Sequence, residues 1–367
     1  MHDKTKINKM EQDLIFMRRC FQLARKSEGF TKPNPLVGSI IVYKNRIIGE
    51  GYHRQFGESH AEVNAINSVK DKSLLQHSTL YVSLEPCAHH GKTPPCTQLI
   101  ISKKIPRVVI ATRDPNPKVS GKGVQLMRNA GIEVIEGVLE DVARDLNKNF
   151  FVNQLFSRPF IILKWAQSKD GYIDLHREPS EDKQPTIISN KLTHTIVHKF
   201  RTRVQGILVG TNTALLDNPQ LTSRKWYGDN PTRIVIDRQN RLPHTLSLFD
   251  GTVPTIIFTE KTPKGITALN SLKFIEIDFS EDTISQILNH LYIEKIYSVL
   301  IEGGSKLLSS FIQNNMWDEA YIEVAALELK SGVKAPKIKG EEIEINKFLD
   351  SSQLHLKRKE LEIFFKY

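Results

Sequence analysis

Four residues carry the clearest chemistry in this chain: His60, Glu62, Cys87 and Cys96. One imidazole and two thiolates suit zinc, and a hydrolytic zinc takes three protein ligands and leaves a position for water, whereas a structural zinc closes its shell with four. Glu62 stands two residues after the histidine in His60-Ala61-Glu62 and is free to move protons. The cysteines lie in Pro86-Cys87 and, after eight intervening residues, at Cys96. The expected site therefore has His60, Cys87 and Cys96 as ligands of one zinc ion per chain and Glu62 as the catalytic proton carrier.

This is the pattern of zinc-dependent nucleobase deaminases, in which metal-activated water attacks the base while a glutamate that is not a ligand shuttles protons. The usual Cys-x-x-Cys is here lengthened by the insert 88–95, which contains His89 and His90. A closed structural site made of both cysteines and these two histidines is the alternative. It leaves Glu62 without a role.

The elements that must position these groups can be read locally. Ala61, Ala65 and Val69 recur at about one turn, with Val63 and Ile66 adding apolar contacts, which predicts a helix over 58–67. Side chains two apart on a helix diverge by about 200°. His60 and Glu62 can thus share one site only at the helix's first turn, where the 57–59 start places them. A strand over 79–82, within 78–84, delivers Cys87 just beyond its end, and the following helix opens with Cys96, Leu99 and Ile100. Strands over 107–111 and 132–135 flank a loop rich in Asp, Asn, Pro and Gly and then a helix over 124–129. A last helix covers 141–151, and Ser157-Arg158-Pro159 marks a boundary.

A second series begins there: strands over 160–164, 206–209, 233–236, 255–258 and 298–301, with helices over 192–202 and 305–313. Strands alternating with helices predict a mainly parallel sheet. Ile301-Glu302-Gly303-Gly304-Ser305-Lys306 lets backbone N–H groups approach a phosphate at a helix N-terminus, although two glycines also make an ordinary tight turn. It is not the Rossmann fingerprint. The segments 164–171 and 210–224 place further polar groups at strand ends, where open α/β sheets bind ligands. A charged hairpin over 176–184 carries no readable activity.

Composition limits the classes. A chain of 367 residues suggests two domains. Hydrophobic residues make up 40% of it, and no run reaches membrane-span length. The first thirteen residues are polar without a signal core, so a cytoplasmic location is expected. Three cysteines, two assigned to metal, leave Cys20 on a helix face and no disulfide framework. A net charge of +10 spread evenly suits a solvated basic surface or, more sharply, phosphorylated small molecules, rather than nucleic acid, which would want a basic block.

The chain resembles the bifunctional riboflavin-biosynthesis deaminase–reductase family along its length. The resemblance rests on Pro33-Asn34-Pro35-x-Val37-Gly38, His60-Ala61-Glu62, Glu85-Pro86-Cys87-x8-Cys96 enclosing Gly91-Lys92-Thr93-Pro94-Pro95, and Asp114-Pro115-Asn116. In the second half it rests on Ser168-x-Asp170-Gly171, Asp217-Asn218-Pro219-x-Leu221-Thr222 and Glu302-Gly303-Gly304. The long insert is itself this family's form of the motif.

What the resemblance implies is an α/β chain with a cytidine-deaminase-like three-layer domain over 1–150, which deaminates pyrimidines with zinc, and a dihydrofolate-reductase-like α/β domain over 157–367, which reduces with NADPH. The first would remove the 2-amino group of 2,5-diamino-6-ribosylamino-4(3H)-pyrimidinone 5′-phosphate. The second would reduce the ribosyl group of the product to ribityl. Asn34, His53, Lys92, Asp114 and Asn116 would contact the first substrate, although Asn34 and Asn116 also suit turns beside proline. Ala166, Thr213, Asp217 and Gly304 would contact NADPH. Lys164, Arg201, Leu221, Arg224 and Glu302 would contact the second substrate, although Arg201 also suits a solvated helix face. A homo-oligomer is expected, with neither nucleic acid nor membrane as a partner. Two departures stand out: Lys169 replaces the usual leucine of Ser-Leu-Asp-Gly, and Ile187 replaces a tryptophan expected to pack on the cofactor, so weaker cofactor binding is expected.

Overall fold

The computed structural model describes residues 2–88, 94–116, 119–177, 184–263 and 271–359, with 2–8 by their backbone only. The chain divides into two compact units, Met1–Phe156 and Ser157–Tyr367.

In the N-terminal unit the described strands β1 (Gly38–Tyr43), β2 (Arg46–Tyr52), β3 (Thr79–Val82), β4 (Arg107–Ile110) and β5 (Glu133–Ile135) form one sheet in the order β2-β1-β3-β4-β5. β1 runs antiparallel to β2 and β3, while β3, β4 and β5 run parallel. Strand side chains alternate between faces, and both faces here are apolar. Ile40, Val42, Tyr81 and Val109 pack under α1 (His2–Ala24), which contributes Met17, Cys20 and Phe21. Ile41, Leu80, Val82, Val108 and Ile110 pack under α2 (Ala61–Ser68), α3 (Cys96–Ser102) and α4 (Lys122–Asn129). Helix, sheet and helix make three layers, and each fully buried Ile, Leu or Val contributes about 1.5–3 kcal/mol.

Two expectations are corrected in this unit. The helix expected from residue 58 starts at Ala61, and His60 is its extended N-cap. The reason is that the Ser59 carbonyl accepts His53 Nδ1 at 3.2 Å and Asn64 Nδ2 at 3.3 Å, which holds the preceding backbone out of helical geometry. The helix expected over 141–151 is two, α5 (Glu140–Leu146) and α6 (Lys148–Phe156). Between them Asn147 turns its amide onto the backbone of Leu36, accepting from its N at 2.7 Å and donating to its O at 2.9 Å.

The second unit contains β6 (Phe160–Gln167), β7 (Tyr172–Asp174), β8 (Gly206–Gly210), β9 (Thr232–Ile236), β10 (Thr255–Thr259), β11 (Leu272–Glu276), β12 (Ser298–Ile301), β13 (Glu319–Ala325), β14 (Val333–Lys334), β15 (Glu341–Phe348) and β16 (Ser351–Lys357). Its helices are α7 (Lys191–Arg203), α8 (Thr211–Asp217), α9 (Thr283–Ile293) and α10 (Ser305–Gln313). Nine of the described strands form a sheet in the order β11-β10-β9-β8-β12-β6-β13-β16-β15. The sheet is parallel from β11 through β13, as expected, and closes on an antiparallel β13-β16-β15 edge that the sequence reading did not anticipate.

On one face Ile161, Leu163 and Trp165 meet α9 and α10 in a core with Phe258, Leu288 and Phe311. The opposite face carries Lys164 and, beside it, Tyr321, whose ring lies 4.5 Å from Phe200 of α7. Residues 178–183 of the hairpin expected over 176–184 lie outside the described residues. β7 pairs antiparallel with the distant β14.

Candidate active sites

In the N-terminal unit three elements deliver the metal-facing atoms. His60 caps α2, Cys87 lies beyond the end of β3, and Cys96 opens α3. His60 Nδ1 is 3.6 Å from Cys87 Sγ and 3.3 Å from Cys96 Sγ. All three ligand atoms fall within 4.8 Å of one another. A tetrahedral zinc with bonds of about 2.0 Å to nitrogen and 2.3 Å to sulfur would hold such atoms about 3.5 Å apart, so the donor set fits zinc. The Cys96 N–H points at Cys87 Sγ from 3.3 Å, and the Thr97 N–H and hydroxyl hold the Cys87 carbonyl. Hydrogen bonding with Cys96 and His60 favours the thiolate of Cys87 and draws its pKa down.

Glu62 sits in the first turn of α2 and is 3% exposed. Burial pushes its carboxyl up to about 7, a value suited to taking and returning a proton near neutrality. Its depth depends on Gly51 of β2, where a Cβ would lie 2.2 Å from the Ala65 nitrogen. Only a glycine there lets α2 sit this close to the sheet.

His53 is 3% exposed, with its ring 5.8 Å from that of His60. Its Nδ1 donates to Ser59 O at 3.2 Å and its Nε2 accepts from Asn34 Nδ2 at 3.1 Å, which leaves a neutral ring; burial lowers its pKa accordingly. Asp114 and Asn116 lie in the loop after β4, where Asp114 Oδ1 accepts the Asn116 N–H at 2.8 Å. Lys92 lies outside the described residues.

Glu85, which opens the Glu85-Pro86-Cys87 motif and is not among the expected site residues, is the organiser of this loop. Its carboxylate accepts the N–H groups of Asp114, Gly121, Gly123 and Val124 at 2.9–3.3 Å. One side chain thereby ties the Asp114 loop and the start of α4 to the strand end that carries Cys87. The glutamate at the start of Glu85-Pro86-Cys87 was the available signal, and the motif hid it by drawing attention to the metal.

In the second unit the polar groups gather where the parallel strands end. The Gly304 N–H opens α10 and donates to Thr213 Oγ1 of α8 at 3.1 Å. A Cβ on Gly210, at the end of β8, would meet nothing within 4 Å. The N-terminus of α10, beside that open space, suits a dinucleotide phosphate, so these residues fit NADPH. Asp217 ends α8 and pairs with Arg177, while burial raises its pKa. Ala166 lies near the end of β6. The Ser168-x-Asp170-Gly171 motif builds a turn: Asp170 accepts from Ser168 Oγ and from the Leu329 and Lys330 N–H groups.

Arg201 donates to Glu302 Oε2 at 2.7 Å and to the Thr222 carbonyl at 2.9 Å, and its side chain is 12% exposed. It is not a solvated helix residue. Leu221 is buried beside Thr222, and Arg224 reaches Thr222 Oγ1 at 3.3 Å. Lys164 is buried, which lowers its pKa against the opposing pull of Glu302 and Glu323. Of the residues assigned to the second substrate, Arg201 thus links Glu302 to the Thr222 carbonyl and Arg224 reaches the hydroxyl of the same threonine. His198 of α7 was missed. It is 0% exposed, and neither ring nitrogen has a partner among the described residues. Burial first, then the charges of Arg201, Arg224, His194 and Lys225, lower its pKa to about 4.

Comparison with known proteins agrees with this division. Residues 159–353 match the family model of the RibD C-terminal domain, and residues 10–112 match that of the cytidine and deoxycytidylate deaminase zinc-binding region. The riboflavin biosynthesis protein RibD of Aquifex aeolicus is 36% identical over 97% of this chain and 99% of that protein. The chain belongs to the RibD family. The RibD of Bacillus amyloliquefaciens is 39% identical, covering 88% of this chain and 86% of that one. A crystal structure from Thermotoga maritima, described as a diaminohydroxyphosphoribosylaminopyrimidine deaminase/5-amino-6-(5-phosphoribosylamino)uracil reductase, is 38% identical with a TM-score of 0.84, covering 95% of this chain and 99% of that one. Members of the RibD family are bifunctional: this chain joins a cytidine-deaminase-like, zinc-binding domain to a dihydrofolate-reductase-like, NADPH-dependent domain in riboflavin biosynthesis. Among the described residues no helix is long and apolar enough to cross a membrane.

Proposed function

We propose that the chain carries out two consecutive steps on one phosphorylated pyrimidine. The domain over 1–150 hydrolyses the 2-amino group of 2,5-diamino-6-ribosylamino-4(3H)-pyrimidinone 5′-phosphate. The domain over 157–367 reduces the ribosyl group of the resulting 5-amino-6-(5-phosphoribosylamino)uracil to ribityl. The observation that carries the reading is the His60–Cys87–Cys96 donor set with a buried carboxyl, Glu62, two residues from its histidine.

His60 Nδ1 and the two cysteine sulfurs hold zinc, which when bound supplies the Lewis acid that activates water. Glu62 takes one proton from the attacking water and places it on the ring nitrogen, then takes the second from the newly added hydroxyl and gives it to the amine, so that the C–N bond breaks, ammonia leaves and a carbonyl remains. The neutral His53 and Asn34 fix the pyrimidine, and Asp114, Asn116 and Lys92 hold the ribose phosphate. In the second domain Thr213, Asp217, Ala166 and the α10 start at Gly304 would hold NADPH, which when bound supplies a hydride. Lys164, Arg201, Leu221, Arg224 and Glu302 orient the sugar phosphate.

Cys20, Cys87 and Cys96 form no disulfide, which supports a reducing, cytoplasmic setting. The edge strand β15 leaves Ile343 43% and Ile345 54% exposed, which supports self-association; sedimentation velocity tests it. The reaction is tested by supplying the diaminopyrimidinone phosphate with and without NADPH while ammonia and NADPH absorbance are followed. Ammonia is expected in both arms and NADPH oxidation in the second. No ammonia from zinc-loaded protein refutes the proposal.

A further inference from the structure

Beneath α7, buried charged groups from three neighbouring strands stand side by side. Ile301 pairs with Leu163, which sets Glu302 beside Lys164, while Tyr321 pairs with Lys164 and Glu323 with Ala166. Register partners share a face, so Lys164, Ala166 and Glu323 point to the side that α7 covers, where Arg201 already holds Glu302.

Glu323 is 0% exposed. Its Oε2 accepts from Ser189 Oγ at 2.6 Å, and its Oε1 has no partner among the described residues. Glu302 repeats the pattern, with Oε2 on Arg201 and Oε1 free of any partner among the described residues. A buried carboxylate oxygen without a donor is costly, and two of them flanking one lysine exceed what an ion pair needs. Both oxygens are acceptors, and Arg201 and Lys164 already balance the two carboxylates in charge, so what they await is a neutral donor. Hydroxyl groups fit, and phosphate does not.

We propose that Glu323 is a specificity-determining contact of the reductase site: its Oε1 accepts a hydrogen bond from a hydroxyl of the ribosyl chain, with Ser189 orienting the carboxylate. Its strand partner Ala166 places that hydroxyl next to the cofactor, near the carbon to be reduced. The inference rests on the reaction proposed above.

The test uses the full, zinc-loaded chain with Glu323→Gln, Glu323→Ala and Ser189→Ala. Thermal midpoint, NADPH Kd by fluorescence, ammonia release, and kcat and KM for 5-amino-6-(5-phosphoribosylamino)uracil are measured. Glu323→Ala should raise KM by about ten- to hundredfold, the range for losing a hydrogen bond to a charged group. Glu323→Gln, whose amide oxygen still accepts, and Ser189→Ala should raise it less. NADPH Kd and ammonia release should stay at the parent values. A KM within about twofold of the parent in both Glu323 variants overturns the proposal, as does an equal loss of NADPH affinity, which would mark a structural role. Should Glu323→Ala not fold, the isosteric Glu323→Gln decides by the same criteria. If the parent chain itself oxidises no NADPH with this substrate, the assigned reaction falls and this proposal with it.

Discussion

In the N-terminal unit the reactive atoms close on one another: two sulfurs and an imidazole nitrogen converge within 4.8 Å, and the Cys96 N–H holds the Cys87 sulfur. In the second unit the polar groups also gather, but they leave one another unsaturated. Glu302, Glu323, Arg201 and His198 each keep a buried polar atom without a partner among the described residues. The first arrangement suits a small ion that needs a fixed, compact donor shell. The second suits a large ligand whose own hydroxyls and phosphates complete the hydrogen bonds. It follows that the deaminase site should fail all at once when one ligand is lost, whereas the reductase site should weaken by degrees.

The largest expected effect is on the compact side. His60→Ala or Cys87→Ser should lose both bound zinc and ammonia release while NADPH oxidation on the deaminated substrate persists; zinc that stays stoichiometric by elemental analysis breaks the comparison. Next comes Gly304→Val. A Cβ there meets only Thr213 Oγ1 at 3.6 Å, so the fold should hold while the side chain blocks the cofactor phosphate. NADPH affinity should fall about a hundredfold, equivalent to about 3 kcal/mol, with ammonia release unaffected.

How far these sites could be read beforehand follows the same division. The His60–Cys87–Cys96 cluster and the buried Glu62 beside it were legible because zinc dictates residue types at short spacing. The start of α2 was misplaced because Glu58 and Ser59 look like helix-opening residues, while in the structure the Ser59 carbonyl serves His53 and Asn64. β1 and β2 went unread because Gly38, Gly49 and Gly51 weaken a strand pattern. Those glycines are there because α1 or α2 passes within a Cβ's reach. Glu323 was invisible: in Ala320-Tyr321-Ile322-Glu323-Val324 it reads as the solvent side of a half-buried strand, and only a helix on that face buries it. His198 likewise carries no local signal in the helix 191–203, and only the fold buries it.

A smaller effect concerns pH. His198 has its pKa lowered from 6.5 to about 4, so the folded unit binds fewer protons than the unfolded chain between those values. Its contribution to stability is present above pH 6.5 and is lost as pH falls toward about 4. The thermal midpoint of the second unit should drop across that window, and His198→Gln should flatten the drop. An unchanged slope would show that other groups set it. Smallest is Ile187→Trp: Ile187 is 85% exposed, and an aromatic ring able to stack on the cofactor should lower the KM for NADPH about two- to tenfold. No change would place residue 187 away from the cofactor.

The central claim, two separate active sites serving one substrate in sequence, is met most directly by mixing two defective proteins. Glu62→Gln keeps the reach of the side chain but cannot carry protons, which costs about 10²–10⁴-fold in rate. Given the diaminopyrimidinone phosphate and NADPH, Glu62→Gln alone should release almost no ammonia, and Gly304→Val alone should release ammonia while oxidising little NADPH. Combined in one tube, they should release ammonia and oxidise NADPH in equal amounts. A mixture of folded, zinc-loaded proteins that still oxidises no NADPH, although Glu62→Gln reduces the deaminated substrate when given it directly, would contradict the account.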